Sequence, residues 1–142
     1  MTLARGALLA AALIGCAQQP LSPAHTVSVP LEGTHWTLIR FGEKPVNVTT
    51  GAQAPSLTLV AKGKSAHGST GCNRFMGGYR VHGNALRFTG IAATRMFCAD
   101  TRELEEQYIH VLDATARWSM VDAHLELYDA AGARLAVFMA GP

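Results

Sequence analysis

Three cysteines are the residues of this sequence most able to do chemistry, and their surroundings differ. Cys16 ends an apolar run near the N-terminus, whereas Cys72 lies in a Gly-Cys-Asn-Arg-Phe block and Cys98 ends a Thr-Arg-Met-Phe-Cys block. In an oxidising compartment two cysteines form a disulfide, whereas a reduced thiol can act as a nucleophile or bind a metal. The compartment therefore decides which chemistry these residues carry.

The N-terminus predicts export and lipidation. Arg5 precedes a short apolar run at residues 6–14, well below the roughly 20 residues that a helix needs to span a bilayer. Residues 13–16, Leu-Ile-Gly-Cys, resemble the lipobox of bacterial lipoproteins. We predict a signal peptide at residues 1–15 and a lipidated Cys16. An ordinary secretory signal and a buried N-terminal helix are the alternatives.

Export makes a disulfide the first interpretation of Cys72 and Cys98. The bridge would close a loop of about 25 residues, worth about 3 kcal/mol. Reduced buried thiols are an alternative. A cysteine hydrolase that uses Cys72 with His67 and Asn73 lacks a local nucleophile signature. A zinc site made of Cys72, Cys98, His67 and His82 lacks the usual close spacing of ligands. We therefore expect no catalytic residue, no metal and no cofactor.

Length and charge predict one domain on a tether. Removal of residues 1–15 from the 142-residue chain leaves 127, the size of a single domain. The mature part has 11 basic and 10 acidic residues, a balance that argues against a nucleic-acid partner. Residues 16–31 are predicted to be the lipidated Cys and a flexible tether, because residues 17–30 contain three prolines among polar residues. This stretch of the chain reaches at most about 45 Å. The folded domain is then residues 32–142, and the absence of heptads favours a monomer.

Most of this domain alternates apolar and polar residues in short segments, which predicts β-strands. Strands are expected at residues 35–41, 56–60 and 134–139. Hairpins are expected at residues 78–89, around His82-Gly83-Asn84, and at residues 118–128, around Asp122-Ala123. Alternation in the first strand places Trp36, Leu38 and Arg40 on one face, and Thr37, Ile39 and Phe41 on the other. Leu57 and Leu59 share a face of the next strand.

One segment has the period of a helix. Asp100 and Glu103 match a capping box, and an apolar stripe follows at Leu104, Tyr108, Val111, Leu112 and Thr115. We predict a single α-helix at about residues 101–116, packed against one side of an antiparallel sheet. Its opposite face is predicted to be solvated and carries Arg102, Glu105, Glu106 and Asp113.

Over about residues 33–139 the chain resembles the META domain family. The resemblance is carried by the two cysteine blocks and by the order in which Trp36, Leu57, Gly78-Tyr79 and Glu106 occur around them. The similarity is greater still to the HslJ-type heat-inducible bacterial lipoproteins. The resemblance implies a mainly β fold, an antiparallel open-barrel-like sheet with a single packed helix. It also gives a set of motif residues whose role the family does not establish: Gly71, Asn73, Arg74, Thr94, Arg95 and Met96.

The resemblance further implies an envelope protein linked to stress and drug tolerance, with no catalytic residues to carry over. Ala17 follows Cys16, where an Asp would favour inner-membrane retention, so we expect the periplasmic face of the outer membrane. We expect a non-enzymatic lipoprotein that is held to the membrane by its lipid and acts through an envelope protein or lipid partner. The alternative is a carrier of a hydrophobic ligand, or a binding module like a secretion pilot or chaperone. That alternative depends on fold-level analogy.

Overall fold

The computed structural model describes residues 28–47 and 53–141 of the chain. The predicted signal peptide, the lipidation residue Cys16 and most of the predicted tether lie outside these ranges. Within them, no helix is long and apolar enough to cross a membrane.

The described residues form one antiparallel sheet and one helix. The strands and the helix are, in chain order, β1 His35–Phe41, β2 Lys44–Pro45, β3 Ser56–Val60, β4 Ser65–Ser69, β5 Arg74–His82, β6 Ala85–Ala93, α1 Arg102–Ala114, β7 Arg117–Val121, β8 His124–Tyr128 and β9 Arg134–Ala140. Neighbouring strands follow the order β2-β1-β3-β4-β5-β6-β7-β8-β9, and pairing of β1 with β9 closes the ring. The predicted mainly β fold with a single packed helix is therefore confirmed.

The ring has its shortest strand pairing between β6 and β7, where only Ala85 and Arg117 are paired. The chain makes α1 between these two strands and lays it over the barrel, with Tyr108, Val111 and Leu112 buried. The Tyr108 ring centroid lies 5.7 Å from that of Phe75 and 6.2 Å from that of Phe138. The buried side chains of the helix thus pack into the core of the barrel, as its apolar stripe predicts.

Aromatic and leucine side chains from the inner faces of the strands fill the remaining core. Trp36, Leu57 and Leu59 are fully buried, and the shared face of the two leucines is confirmed. The Trp36 indole Nε1 donates to the Leu31 carbonyl at 3.0 Å, Leu31 itself is buried, and Val29 packs against the core. The packed part of the chain therefore includes the last residues of the predicted tether.

The predicted assignment of side chains to the two faces of β1 is wrong at the C-terminal end of the strand, because of a β-bulge. The pairing of β1 with β9 shifts register between Leu38 and Arg40, and the extra residue reverses the alternation beyond it. Phe41 is consequently buried with Trp36 and Leu38, whereas Arg40 is exposed.

Two further features differ from the sequence-based expectation. Strand β4, Ser-Ala-His-Gly-Ser, has none of the usual strand-forming residues and was not predicted, yet it pairs along its length with β3 and β5. The capping box is also absent, because Asp100 lies in a 3-10 turn at Ala99–Thr101. The α-helix begins at Arg102, one residue later than predicted, with Thr101 as an N-cap that makes no side-chain hydrogen bond.

Candidate functional site

The first cysteine block forms the tight turn between β4 and β5. Gly71 has a φ of +107°, a conformation that favours glycine. A Cβ at this position would lie 2.9 Å from Cδ2 of Leu104 on α1. Glycine therefore serves two needs here, since it permits the turn and lets the helix approach it closely.

Asn73 follows in this turn, and its buried side chain, 2 % exposed, links three segments. Its Oδ1 accepts from the Thr94 hydroxyl at 2.8 Å and from the Met96 backbone N–H at 2.7 Å. Its Nδ2 donates to the Met96 carbonyl at 3.2 Å and to both carboxylate oxygens of Glu105 at 2.9 Å. Because all of its hydrogen-bonding capacity is used within the domain, Asn73 acts as a structural hub.

Two threonine hydroxyls hold the backbone around Asn73. The Asn73 N–H donates to Thr70 Oγ1 at 3.0 Å, and the same hydroxyl donates to the Asn73 carbonyl at 3.1 Å. On the other side, the Arg74 N–H donates to Thr94 Oγ1 at 3.1 Å. Thr94 thus joins the second cysteine block to the start of β5, as well as to the Asn73 amide.

The disulfide between Cys72 and Cys98 is confirmed, with the two Cα atoms 6.2 Å apart. It joins the turn to the segment that leads into α1, and the hydrogen bonds of Asn73 join the same two segments. Because both sulfurs are bonded, neither is a thiolate nucleophile or a metal ligand. His67 projects from the exposed side of β4, and the described residues contain no cluster of three potential metal-ligating side chains.

The motif residues therefore divide into a buried and an exposed group. Gly71 and Asn73 are buried, whereas Arg74, Thr94, Arg95 and Met96 are exposed to solvent. Phe97, which the sequence analysis did not single out, is the most exposed large apolar side chain in the described ranges, at 86 %, and Met96 is 60 % exposed. The buried residues fix the loop, and the exposed residues are those that a partner could contact.

Thr94, Arg95, Met96 and Phe97 border an open groove along α1. The groove has a volume of about 790 Å³. Its lining mixes apolar side chains, Met96, Phe97 and Ile109, with charged ones, Arg95, Arg102, Glu105 and Glu106. Shape and composition suit the binding of an extended or helical segment better than enclosure of a small substrate.

Glu105 was expected to be solvated with the other charged residues of its helix face, and that expectation is wrong. It is half-buried, and its carboxylate accepts a hydrogen bond from the Asn73 side-chain amide. Tyr108, one turn further along α1, donates its hydroxyl proton to the Ser56 carbonyl at 2.8 Å, and burial raises its pKa well above the usual value. Helical spacing alone does not distinguish a Glu that faces water from one that faces a buried amide in a remote turn.

Comparison with known proteins identifies the family. The META domain family model matches residues 29–142, so the chain belongs to the META domain family. No curated protein matches the chain.

Solved structures of other proteins share the fold. A protein from Burkholderia xenovorans, solved by NMR, is 28 % identical over 89 % of this chain and 93 % of its own, with a TM-score of 0.63. A second NMR structure is 26 % identical over 77 % of this chain and 90 % of its own, with a TM-score of 0.61. A DUF4847 family protein from Bacteroides vulgatus shares the fold, at 13 % identity and a TM-score of 0.57 over 77 % of this chain and 93 % of its own.

Proposed function

We propose that this META domain protein is a lipoprotein anchored through Cys16 to the periplasmic face of the outer membrane, where it acts as a non-enzymatic binding module. The lipobox-like residues 13–16 support the anchor, and the Cys72–Cys98 disulfide suits an oxidising compartment. The proposed role is to support envelope integrity under stress through an envelope protein or lipid partner.

The observation that carries the binding role is the rigid display of two apolar side chains. Met96 and Phe97 are exposed although their loop is held by the Asn73 hydrogen bonds and the disulfide. A loop that is already ordered loses little conformational entropy when it binds. Large apolar side chains beside a groove are typical of binding surfaces.

The hydrophobic-carrier alternative has less support, because the interior of the barrel is occupied. Trp36, Tyr108 and Phe138 are fully buried among leucines, so a ligand would have to lie in the open groove along α1. A segment of a partner protein or a membrane lipid fits that groove without displacing the core.

The anchor is tested by fractionation. We expect a Cys16→Ser variant to fold normally and to leave the membrane fraction, because the substitution removes the atom to which the lipid is attached. A variant that stays in the membrane fraction would disprove the anchor.

The binding role is tested by complementation of a deletion strain. We expect Met96→Ser/Phe97→Ser to fail to restore tolerance of heat, detergent and hydrophobic antibiotics, although the protein is folded and anchored. The matched control is Val121→Ser/Met139→Ser, which removes two apolar side chains that are 48 % and 46 % exposed elsewhere on the barrel. Full tolerance with the first variant would rule out this surface.

A further inference from the structure

The near-neutral net charge of the chain hides a strong separation of charge along it. Residues 44–99 contain seven Lys and Arg residues and no Asp or Glu, whereas residues 100–142 contain eight acidic and three basic residues. The basic residues are scattered in the sequence, so no basic run is visible. Strand pairing is what brings them together.

The outer surface of the β5–β6 hairpin collects three of these arginines. Arg74 and Arg80 lie on the exposed side of β5, and Arg87 of β6 lies directly opposite Arg80. Between Arg74 and Arg80, on the same side of the strand, Met76 is 69 % exposed. We call the surface formed by Arg74, Met76, Arg80 and Arg87 the arginine face.

Among the described residues, no acidic side chain forms an ion pair with this face. The ion pairs among the described residues involve the cations Lys64, Arg102 and Arg134 instead. Strands β4, β5 and β6 contain no acidic residue. Like charges directly opposite each other destabilise a strand pair. The Arg80–Arg87 pair therefore weakens the isolated domain slightly and is available for an anion from outside.

We propose that the arginine face docks the domain on the surface of a bilayer that contains anionic phospholipids. Guanidinium groups bind phosphate through paired hydrogen bonds, and an exposed methionine between them can enter the apolar edge of the headgroup layer. The proposal depends on the proposed anchor at Cys16, which keeps the domain near such a surface and so raises its effective concentration there.

Charge and geometry favour a bilayer over other anionic partners. Arg74 and Arg80 lie six residues apart on β5, so the arginine face extends over about 20 Å, a length that a field of many phosphates can match. Each basic residue near an anionic lipid surface strengthens attachment about fivefold. Arg80 and Arg87 together should therefore raise the ratio of docked to undocked protein by about 25-fold.

The test uses the mature lipidated protein in vesicles with a fluorescent reporter, Met76→Trp, at the centre of the arginine face. One set of vesicles is phosphatidylcholine, and the other is an equal mixture with phosphatidylglycerol, both brominated in the acyl chains to quench tryptophan. The parent protein, which keeps the native Trp36 and Trp118, provides the background. We expect the reporter to be quenched at least twofold more strongly in the anionic vesicles.

Charge reversal gives the decisive comparison. Arg80→Glu/Arg87→Glu should abolish the additional quenching. Arg40→Glu/Lys44→Glu changes the net charge equally at two exposed basic residues on β1 and β2 and should preserve it. Equal quenching in both vesicle types, survival of quenching after the first reversal, or its loss with the control would each overturn the proposal.

The remaining outcomes separate the anchor from the face. A protein that is retained by vesicles after a high-salt wash but is never quenched overturns the arginine face alone. A protein that washes off overturns both the anchor and the docking that depends on it. Self-association in detergent that Arg80→Glu/Arg87→Glu abolishes would assign the face to a second copy of the chain, and so would also overturn docking on lipid.

Discussion

Two groups of buried polar side chains lie in this barrel, and they connect the chain over very different distances. Asn73 bonds to Thr94, Met96 and Glu105, which are 21, 23 and 32 positions away. Glu126 accepts from the Tyr128 hydroxyl and from Arg134 Nη1, which are 2 and 8 positions away on the same β-hairpin. All polar atoms of the Asn73 side chain are hydrogen-bonded, whereas Arg134 Nε in the second group is buried without a partner among the described residues. Only the first group holds together segments that are remote in sequence.

The difference follows from what the backbone already fixes. Strands β8 and β9 are paired from His124 to Tyr128, so the Glu126 cluster lies on a hairpin whose geometry the ladder sets. Beyond Thr94, in contrast, the chain leaves the sheet and has no strand partner until β7 begins at Arg117. The loop that displays Met96 and Phe97 therefore depends on side chains, namely Asn73 and the disulfide.

The largest expected effect comes from Asn73→Ala. The substitution leaves the Met96 N–H, the Thr94 hydroxyl and the Glu105 carboxylate without their partner, so we expect the free energy of unfolding to fall by about 4 kcal/mol. Urea denaturation at neutral pH measures it. A loss smaller than about 1 kcal/mol would show that water replaces the amide and that Asn73 is not a hub.

Removal of the disulfide by Cys72→Ala/Cys98→Ala is expected to cost about 3 kcal/mol, because the unfolded chain gains the entropy of an open loop. The comparison is sharpened by combining variants. In the protein without the disulfide, Asn73→Ala should lower the free energy of unfolding by at least about 1 kcal/mol less than it does in the parent protein, since both features restrain the same loop. Glu126→Gln should instead add to the disulfide loss within about 0.5 kcal/mol. Additivity in both cases would mean that the two regions are not different.

Some of this organisation can be predicted from the sequence, and the reason is periodicity. The stripe from Leu104 to Leu112 and the pair Leu57 and Leu59 repeat at the spacing of a helix and a strand, so their burial follows from local pattern. The cysteine blocks give the disulfide because the N-terminus indicates export.

The remainder depends on tertiary context. The burial of Phe41 results from a β-bulge that the residue types of β1 do not predict. Strand β4 exists because its small residues fit between neighbours, and a Cβ at Gly68 would collide with the Ser56 backbone. The contact of Glu105 with Asn73 joins residues 32 positions apart, which a single sequence does not reveal.

A third prediction concerns how the stability of the domain depends on alkaline pH through two buried tyrosines, Tyr108 and Tyr79. Burial raises the pKa of Tyr108, and burial together with the Glu32 carboxylate raises that of Tyr79. The unfolded chain therefore releases these protons first, so the stability is full below about pH 10 and is lost as the pH rises further, by about 1.4 kcal/mol per pH unit for each tyrosine. Tyr108→Phe should reduce this slope by about half. Denaturation at a series of alkaline pH values measures it, and an unchanged slope would exclude Tyr108.

The smallest effect is expected at the local cluster, where Glu126→Gln should lower the free energy of unfolding by about 1 kcal/mol or less. The amide oxygen can still accept from Arg134 or Tyr128, Arg134 retains its ion pair with Glu43, and the β8–β9 ladder is untouched. The Met96–Phe97 loop should also be unaffected, so amide hydrogen exchange at residues 94–98 should match the parent protein, whereas Asn73→Ala should accelerate it. If Glu126→Gln destabilised the domain as much as Asn73→Ala, the ladder would not be what fixes the hairpin, and sequence separation would not explain why the two clusters differ.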